Sequence, residues 1–223
     1  MTLATVRARA ALAVVAAVLC CVLSGCATPR QDAAPVSEPT PSATTPSVTS
    51  APPTVSPTPD SLIGNVPVAA PTRLVLPAAG IDGPVEEYTA ADAEAEGGVN
   101  PAALDTISWY SGVPNPMPGS DASNTVYIFG HSWIEPAVFN GLKDLHAGDR
   151  ATITTSSGEL VYAVDEVITM AKPDFTQDAR VTAVVPGRLA LVTCYRPPGW
   201  DPSSHAPDNT VVFLHLVEAH AAG

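Results

Sequence analysis

The sequence predicts an all-β domain of about eight short strands with few helices. Runs rich in Val, Ile, Leu, Thr, Tyr and Phe recur between residues 73 and 217, punctuated by Pro and Gly. Helical periodicity is sparse over the same stretch. Residues 27–60 hold no Leu, Ile, Phe, Tyr or Trp, so the core must be built from residues C-terminal to them. A pattern of many strands and few helices closes as a barrel or packs as a sandwich.

In chain order, Arg73–Leu76 ends at Pro77, and Ile81–Val85 follows Gly80. Thr106–Tyr110 runs into Ser111 and Gly112, and Thr125–Phe129 ends at Gly130. Ala151–Thr155 stops short of Gly158, and Leu160–Ala171 is long and dominated by Val, Tyr, Ile and Thr. Arg188–Thr193 leads into Cys194, and Thr210–Val217 closes the set. Helix is expected at Pro101–Leu104, Pro136–Leu145 and Phe175–Val181. In the second of these, Val138, Phe139, Leu142 and Leu145 form one apolar face, and Gly148 punctuates its end. The domain spans 62–223, long enough to bury a sizeable core without disulfide staples.

The N-terminal residues read as an export signal and a spacer. Arg7 and Arg9 form a positive n-region, and Ala10–Leu23 is apolar throughout, the length of a signal-peptide h-region. Leu23-Ser24-Gly25-Cys26 then resembles the bacterial lipobox, which makes 1–25 a lipoprotein signal peptide and Cys26 the lipidated residue. Residues 26–61 form a Pro/Ser/Thr-rich disordered tether, with nine prolines between 27 and 60. Its proline density favours extended polyproline II at about 3 Å per residue, a reach of up to roughly 100 Å. The expected location is the extracytoplasmic face of the bacterial cell membrane, held by the lipid anchor.

Charge and cysteine usage narrow the function classes. The chain carries a formal charge of −12; loss of Arg7 and Arg9 with a leader that holds no acidic residue takes it to −14. Such acidity argues against a nucleic-acid partner, whose phosphates require clustered Lys and Arg. Cys20 and Cys21 leave with the leader and Cys26 takes the lipid, so Cys194 is the one thiol remaining. In an oxidising compartment a lone thiol is either a small buried apolar side chain or a reactive nucleophile. The acidic run Glu86, Glu87, Asp92, Glu94 and Glu96 reads as a solvated loop rather than a calcium site. His146, His215 and His220 lack metal-ligand spacing, and no metal or other cofactor is expected.

The chemistry concentrates at two strand ends. Thr125–Phe129 delivers His131 just past Gly130, a residue that allows a turn or a close approach. Leu189–Thr193 delivers Cys194. A nearby histidine or arginine favours the nucleophilic thiolate, and the same histidine can protonate a departing amine. Cys and His mounted on rigid strand ends therefore point to acyl transfer through a thioester.

These segments together resemble the sortase signature. Ala190-Leu191-Val192-Thr193-Cys194 is similar to the family's T-L-x-T-C strand, departing at Ala190, and Gly130-His131 matches its G-H step. The resemblance runs in order through Arg73–Pro77, Gly80-Ile81, Trp109–Gly112, Pro118-Gly119, Val138-Phe139, Leu142, Leu145 and Gly148-Asp149, over about 71–219. It is most like the class F sortases of actinobacteria. The resemblance implies an eight-stranded β-barrel and a cysteine transpeptidase, with Cys194 as nucleophile and His131 as general acid/base. It implies as partners an LPxTG-like sorting-signal peptide and an amine acceptor.

One departure stands out. The family carries an arginine on the last strand that stabilises the oxyanion, expected here just before or within Asp208-Asn209-Thr210-Val211-Val212; His205, Ala206 and Pro207 stand there, and no arginine follows Arg196. Three alternatives are open: Arg196 supplies the cation, His205 supplies a hydrogen-bond donor, or the protein is a degenerate sortase that binds peptide without cleaving it. An L,D-transpeptidase shares Cys/His chemistry but expects a histidine–glycine step directly before its cysteine, where Val192-Thr193 stands. Trp109 and Tyr110 are expected in core or groove wall, Trp133 beside the groove, and Trp200 in a Pro-rich loop (195–209) lying over the cysteine.

Overall fold

A computed structural model describes residues 63–201 and 203–223. The signal peptide, Cys26 and the tether up to residue 61 lie outside the described residues. All eight expected strands form: β1 (Pro71–Leu76), β2 (Ile81–Tyr88), β3 (Ile107–Tyr110), β4 (Val126–Gly130), β5 (Arg150–Thr155), β6 (Gly158–Ala171), β7 (Arg188–Tyr195) and β8 (Asp208–Ala221). They close into a barrel in the order β1-β2-β3-β4-β7-β8-β6-β5, with β5 returning to β1. Of the two architectures the pattern allowed, the chain adopts the barrel.

Two of the pairings, β2 with β3 and β4 with β7, are parallel; the others are antiparallel. A parallel pair needs a long crossover, and the segment between β4 and β7 contains the whole β5–β6 hairpin. β6 and β8 pair over nearly their full lengths, with register shifts at Val161/Tyr162 and Val164/Glu166 that bend the ribbon around the barrel.

The strand period of two sorts side chains into two packed layers. Val126 and Ile128 of β4, Leu189 and Leu191 of β7, and Val212 and Leu214 of β8 point inward, into a core shared with Leu74, Ile107, Ile153 and Tyr162. Their alternates, Tyr127, Ala190, Val192, Val211 and Phe213, point outward into a second apolar layer with Met170 and Val181. Burial on both faces explains why β7 reads as a continuous apolar run rather than an alternating one.

The helical expectations are revised. Pro101–Leu104 is a set of turns, too short to offset the nucleation cost of a helix. Pro136–Leu145 forms turns ending in a 3-10 turn at Leu142–Asp144. Here the Asn140 side chain bonds the Trp133 N–H and the Glu135 carbonyl, competing with a helical ladder. Its apolar face still packs, with Phe139 and Leu142 fully buried. In Phe175–Val181 only the C-terminal part is helical: a turn over 175–177 follows a 3-10 turn at Lys172–Asp174, and helix α2 (Ala179–Thr182) starts where Asp178 caps it by accepting from the Arg180 N–H.

One helix was not expected. α1 (Ala90–Glu96) absorbs Asp92, Glu94 and Glu96 of the acidic run, while Glu86 and Glu87 belong to β2. Thr89 and Asp92 cap it reciprocally, and Gly97 at φ 71° ends it. The hydroxyl and amide of Thr89 hold the Asp92 carboxyl below the usual carboxylate range. Among the described residues, no group of three or more His, Cys, Asp or Glu is arranged to hold a metal, and no helix is long and apolar enough to cross a membrane.

Tyr162 sits fully buried in the inner core, where its hydroxyl has no partner among the described residues and desolvation drives its phenol pKa upward. Tyr162→Phe removes that stranded hydroxyl and nothing else. It is expected to stabilise the fold by about 1 kcal/mol, read as a higher midpoint in denaturant at unchanged slope.

Candidate active site

His131 and Cys194 are brought together by strand register. β4 and β7 run parallel, with Phe129 beside Val192, so the next pair in line is Gly130 and Thr193. The Thr193 hydroxyl donates to the Gly130 carbonyl at 2.8 Å, fastening the two strand ends. Thr193 follows the inward parity of Leu191 and is buried; Cys194 follows the outward parity of Ala190 and Val192 and is half-buried. His131 continues the outward series of Tyr127 and Phe129, so the histidine and the thiol leave adjacent strands on the same face. Cys194 is the free cysteine of the described residues.

Gly130 is required by crowding rather than by conformation. A Cβ there would come within 2.8 Å of the Phe139 ring and 2.9 Å of Val138. The close approach allowed by the glycine is therefore filled by the chain's own Phe139. The Phe139 N–H in turn bonds the His131 carbonyl at 2.9 Å, pinning the histidine's backbone.

The imidazole is oriented by a third group. His131 Nε2 lies 2.8 Å from the carbonyl oxygen of buried Pro101. A carbonyl only accepts, so Nε2 carries the proton and Nδ1 is the nitrogen open to proton exchange. A main-chain carbonyl thus takes the role of the group that orients the base in acyl-transfer enzymes.

A cavity of about 1290 Å³ opens over this pair. His131, Cys194, Trp133, Arg196, His205 and Asn209 line its polar end. Tyr110, Val113, Tyr127, Phe129, Phe175 and Val181 form an apolar wall. α2 is fixed over that wall by a bond from the Tyr127 hydroxyl to the Val181 carbonyl. The Arg180 guanidinium and amide hold the Asp178 carboxyl down to about 2, a cap that keeps α2 in place.

Arg196 lines the cavity but has its own partners. Its guanidinium donates to the Ser132 carbonyl at 3.2 Å and stacks over the Trp133 ring, 4.0 Å from the centroid. It thus bridges the loop after β7 to the loop after β4. His205 also lines the cavity, and its carbonyl accepts from the Trp200 indole at 3.1 Å. The Pro-rich loop walls the cavity through Ser203, Ser204, His205 and Ala206, while Trp200 braces it without lining the space.

The residue at the strand position beside the thiol is Asn209, which the sequence motifs did not single out. It pairs with Cys194 across β7 and β8. The resemblance expects its arginine just before or within 208–212, and the strand register picks out Asn209 of that stretch as the residue beside the thiol.

A family model of the sortase domain matches residues 74–217, from β1 through β8. The chain belongs to the sortase family. Sortase A of Listeria monocytogenes is similar at 16% identity, covering 70% of this chain and 92% of its own, with a TM-score of 0.50. Sortase C of Streptococcus pneumoniae is similar at 17% identity, covering 71% and 73%, with a TM-score of 0.50. Sortase E1 of Streptomyces coelicolor shows 16% identity over 71% and 94%, at a TM-score of 0.49. At these identities the Listeria monocytogenes and Streptococcus pneumoniae structures show a shared barrel and no subclass. No curated protein sequence matches the chain. Sortases are cysteine transpeptidases that act on sorting-signal peptides and amine acceptors, and this sortase domain has its one described thiol in the cavity lining.

The Arg196–Trp133 stack makes a measurable coupling. Arg196→Ala and Trp133→Ala are each expected to destabilise the domain, with a double-mutant coupling of about 0.5–1 kcal/mol in equilibrium unfolding. Strict additivity of the two changes would show that the stack carries no energy.

Proposed function

We propose that the protein is a lipid-anchored cysteine transpeptidase of the class F type, cleaving a sorting-signal peptide and passing its acyl part to an amine. The observation that carries this reading is the pairing of strand ends: His131, oriented by the Pro101 carbonyl, and Cys194 leave β4 and β7 on one face beneath one cavity. The class assignment rests on the colinear sequence motifs.

In the cycle, Nδ1 of His131 takes the Cys194 thiol proton, the thiolate sulfur attacks a backbone carbonyl carbon, and the carbonyl π electrons move to oxygen. The tetrahedral intermediate collapses, the C–N bond breaks, and His131 gives its proton to the departing amine. A second amine attacks the thioester, His131 takes its proton, and the thiolate leaves. Arg196 supplies positive charge at the polar end of the cavity and, through Ser132 and Trp133, holds the histidine loop to the cysteine loop. The apolar wall suits a hydrophobic side chain of the peptide.

A second reading has one specific support: no arginine follows Arg196. A peptide-binding envelope lipoprotein on a sortase scaffold would bind peptide equally well with Cys194→Ala and cleave nothing. The deciding experiment incubates the full chain with a quenched LPxTG-type peptide library and an amine acceptor. A thioester on Cys194 by mass spectrometry, absent in Cys194→Ala and strongly reduced in His131→Ala, is the expected result. No adduct with any peptide, together with an inert thiol, overturns the enzyme reading.

The anchor has its own test. The mature protein is expected to begin at an acylated Cys26, read by mass spectrometry of its N-terminal peptide, and Cys26→Ala is expected to lose that modification without changing thioester formation. A mature N-terminus without lipid would overturn the lipid-anchor assignment.

A further inference from the structure

The three strands β4, β7 and β8 lie side by side, and the outward-facing row at their ends reads His131, Cys194, Asn209. Cys194 and Asn209 are direct partners across an antiparallel pair. Directly opposed residues on one face have Cβ atoms about 4.5–5.5 Å apart. Parity fixes the face: Thr193 and Thr210, the preceding pair, are both buried inward, so Cys194 and Asn209 both turn outward. Both are half-buried and both line the cavity with His131.

We propose that Asn209 is the oxyanion donor of this site. The inference rests on the acyl-transfer reading and adds a residue to it. As the Cys194 sulfur bonds to the carbonyl carbon, the C=O π pair becomes a lone pair on oxygen, and that oxygen accepts a hydrogen bond from Asn209 Nδ2. When the pair returns to re-form C=O, the C–N bond breaks and His131 protonates the amine. Asn209 neither gains nor loses a proton. A primary amide carries two N–H donors and is uncharged, so it serves this role without the desolvation cost of a buried cation. Arg196 is already held by the Ser132 carbonyl and the Trp133 ring, while Asn209 stands in the row itself.

The test contrasts two small electrophiles on the full chain, so that no sorting motif need be known. p-Nitrophenyl acetate acylates a thiol through a tetrahedral oxyanion; iodoacetamide alkylates it by displacement, with no oxyanion. Asn209→Ala is expected to slow acylation of Cys194 on the order of 10²-fold and to leave alkylation within about twofold. Asn209→Asp, which keeps the shape and replaces the donor with an acceptor, is expected to slow acylation at least as much. Asn209→Ala acylating at the wild-type rate overturns the proposal, and so does an equal fall in both reactions, which would mean a general loss of thiol access or activation. If the acylation-specific loss appears while the peptide library yields no thioester, the Asn209 assignment stands and the peptide-transfer reading fails.

Discussion

The hydrogen bond from Thr193 to the Gly130 carbonyl ties together the ends of β4 and β7, and the site is a consequence of that fastening. Inward burial of Thr193 forces Cys194 outward, because neighbouring residues of a strand face opposite ways. Gly130, packed too tightly against Phe139 to carry a side chain, hands the chain on to His131 at the same level. Cys194 lies within β7 and His131 stands one residue past the end of β4, so both backbones start from paired strands. The strands fix where the side chains start, and the Pro101 carbonyl fixes how the imidazole is turned.

A second layer of constraint surrounds this pair. The outward apolar layer of Tyr127, Val192, Val211 and Phe213 is unusual for a barrel exterior and exists because α2 and the 3-10 turn before it cover it. That cover leaves a deep, largely apolar space next to a polar end. Arg196 belongs to the framework of this space as much as to its chemistry, since its stack on Trp133 ties two loops that have no backbone pairing after the strands end.

The barrel was legible in the sequence because its strands are short, rich in β-branched residues and sharply punctuated. Every expected strand formed, with ends moved by a few residues; β2 and β8 grew most. Helices were less legible. The apolar spacing of Val138, Phe139, Leu142 and Leu145 correctly marked residues that face the core, yet Asn140 commits the local backbone bonds to turns. α1 was missed although Thr89, Asp92 and Gly97 spell its caps, because its acidic composition reads as solvated loop. His131 and Cys194 were legible from their strand-end motifs. Asn209 was not: the resemblance marked the stretch 208–212, and it is the cross-strand register that picks out the residue beside the thiol.

β8 is eighth in chain order, yet it lies between β6 and β7 rather than at the end of a row. The ribbon therefore stays open until its final strand is inserted, and both flanks of that strand must be waiting for it. Because non-local pairings of this kind form slowly, the thiol passes the interval without its neighbour on β8 and without a closed barrel behind it. Chemical competence then arrives as a last step of folding, so that an incompletely folded molecule is an idle one rather than a poorly aimed one.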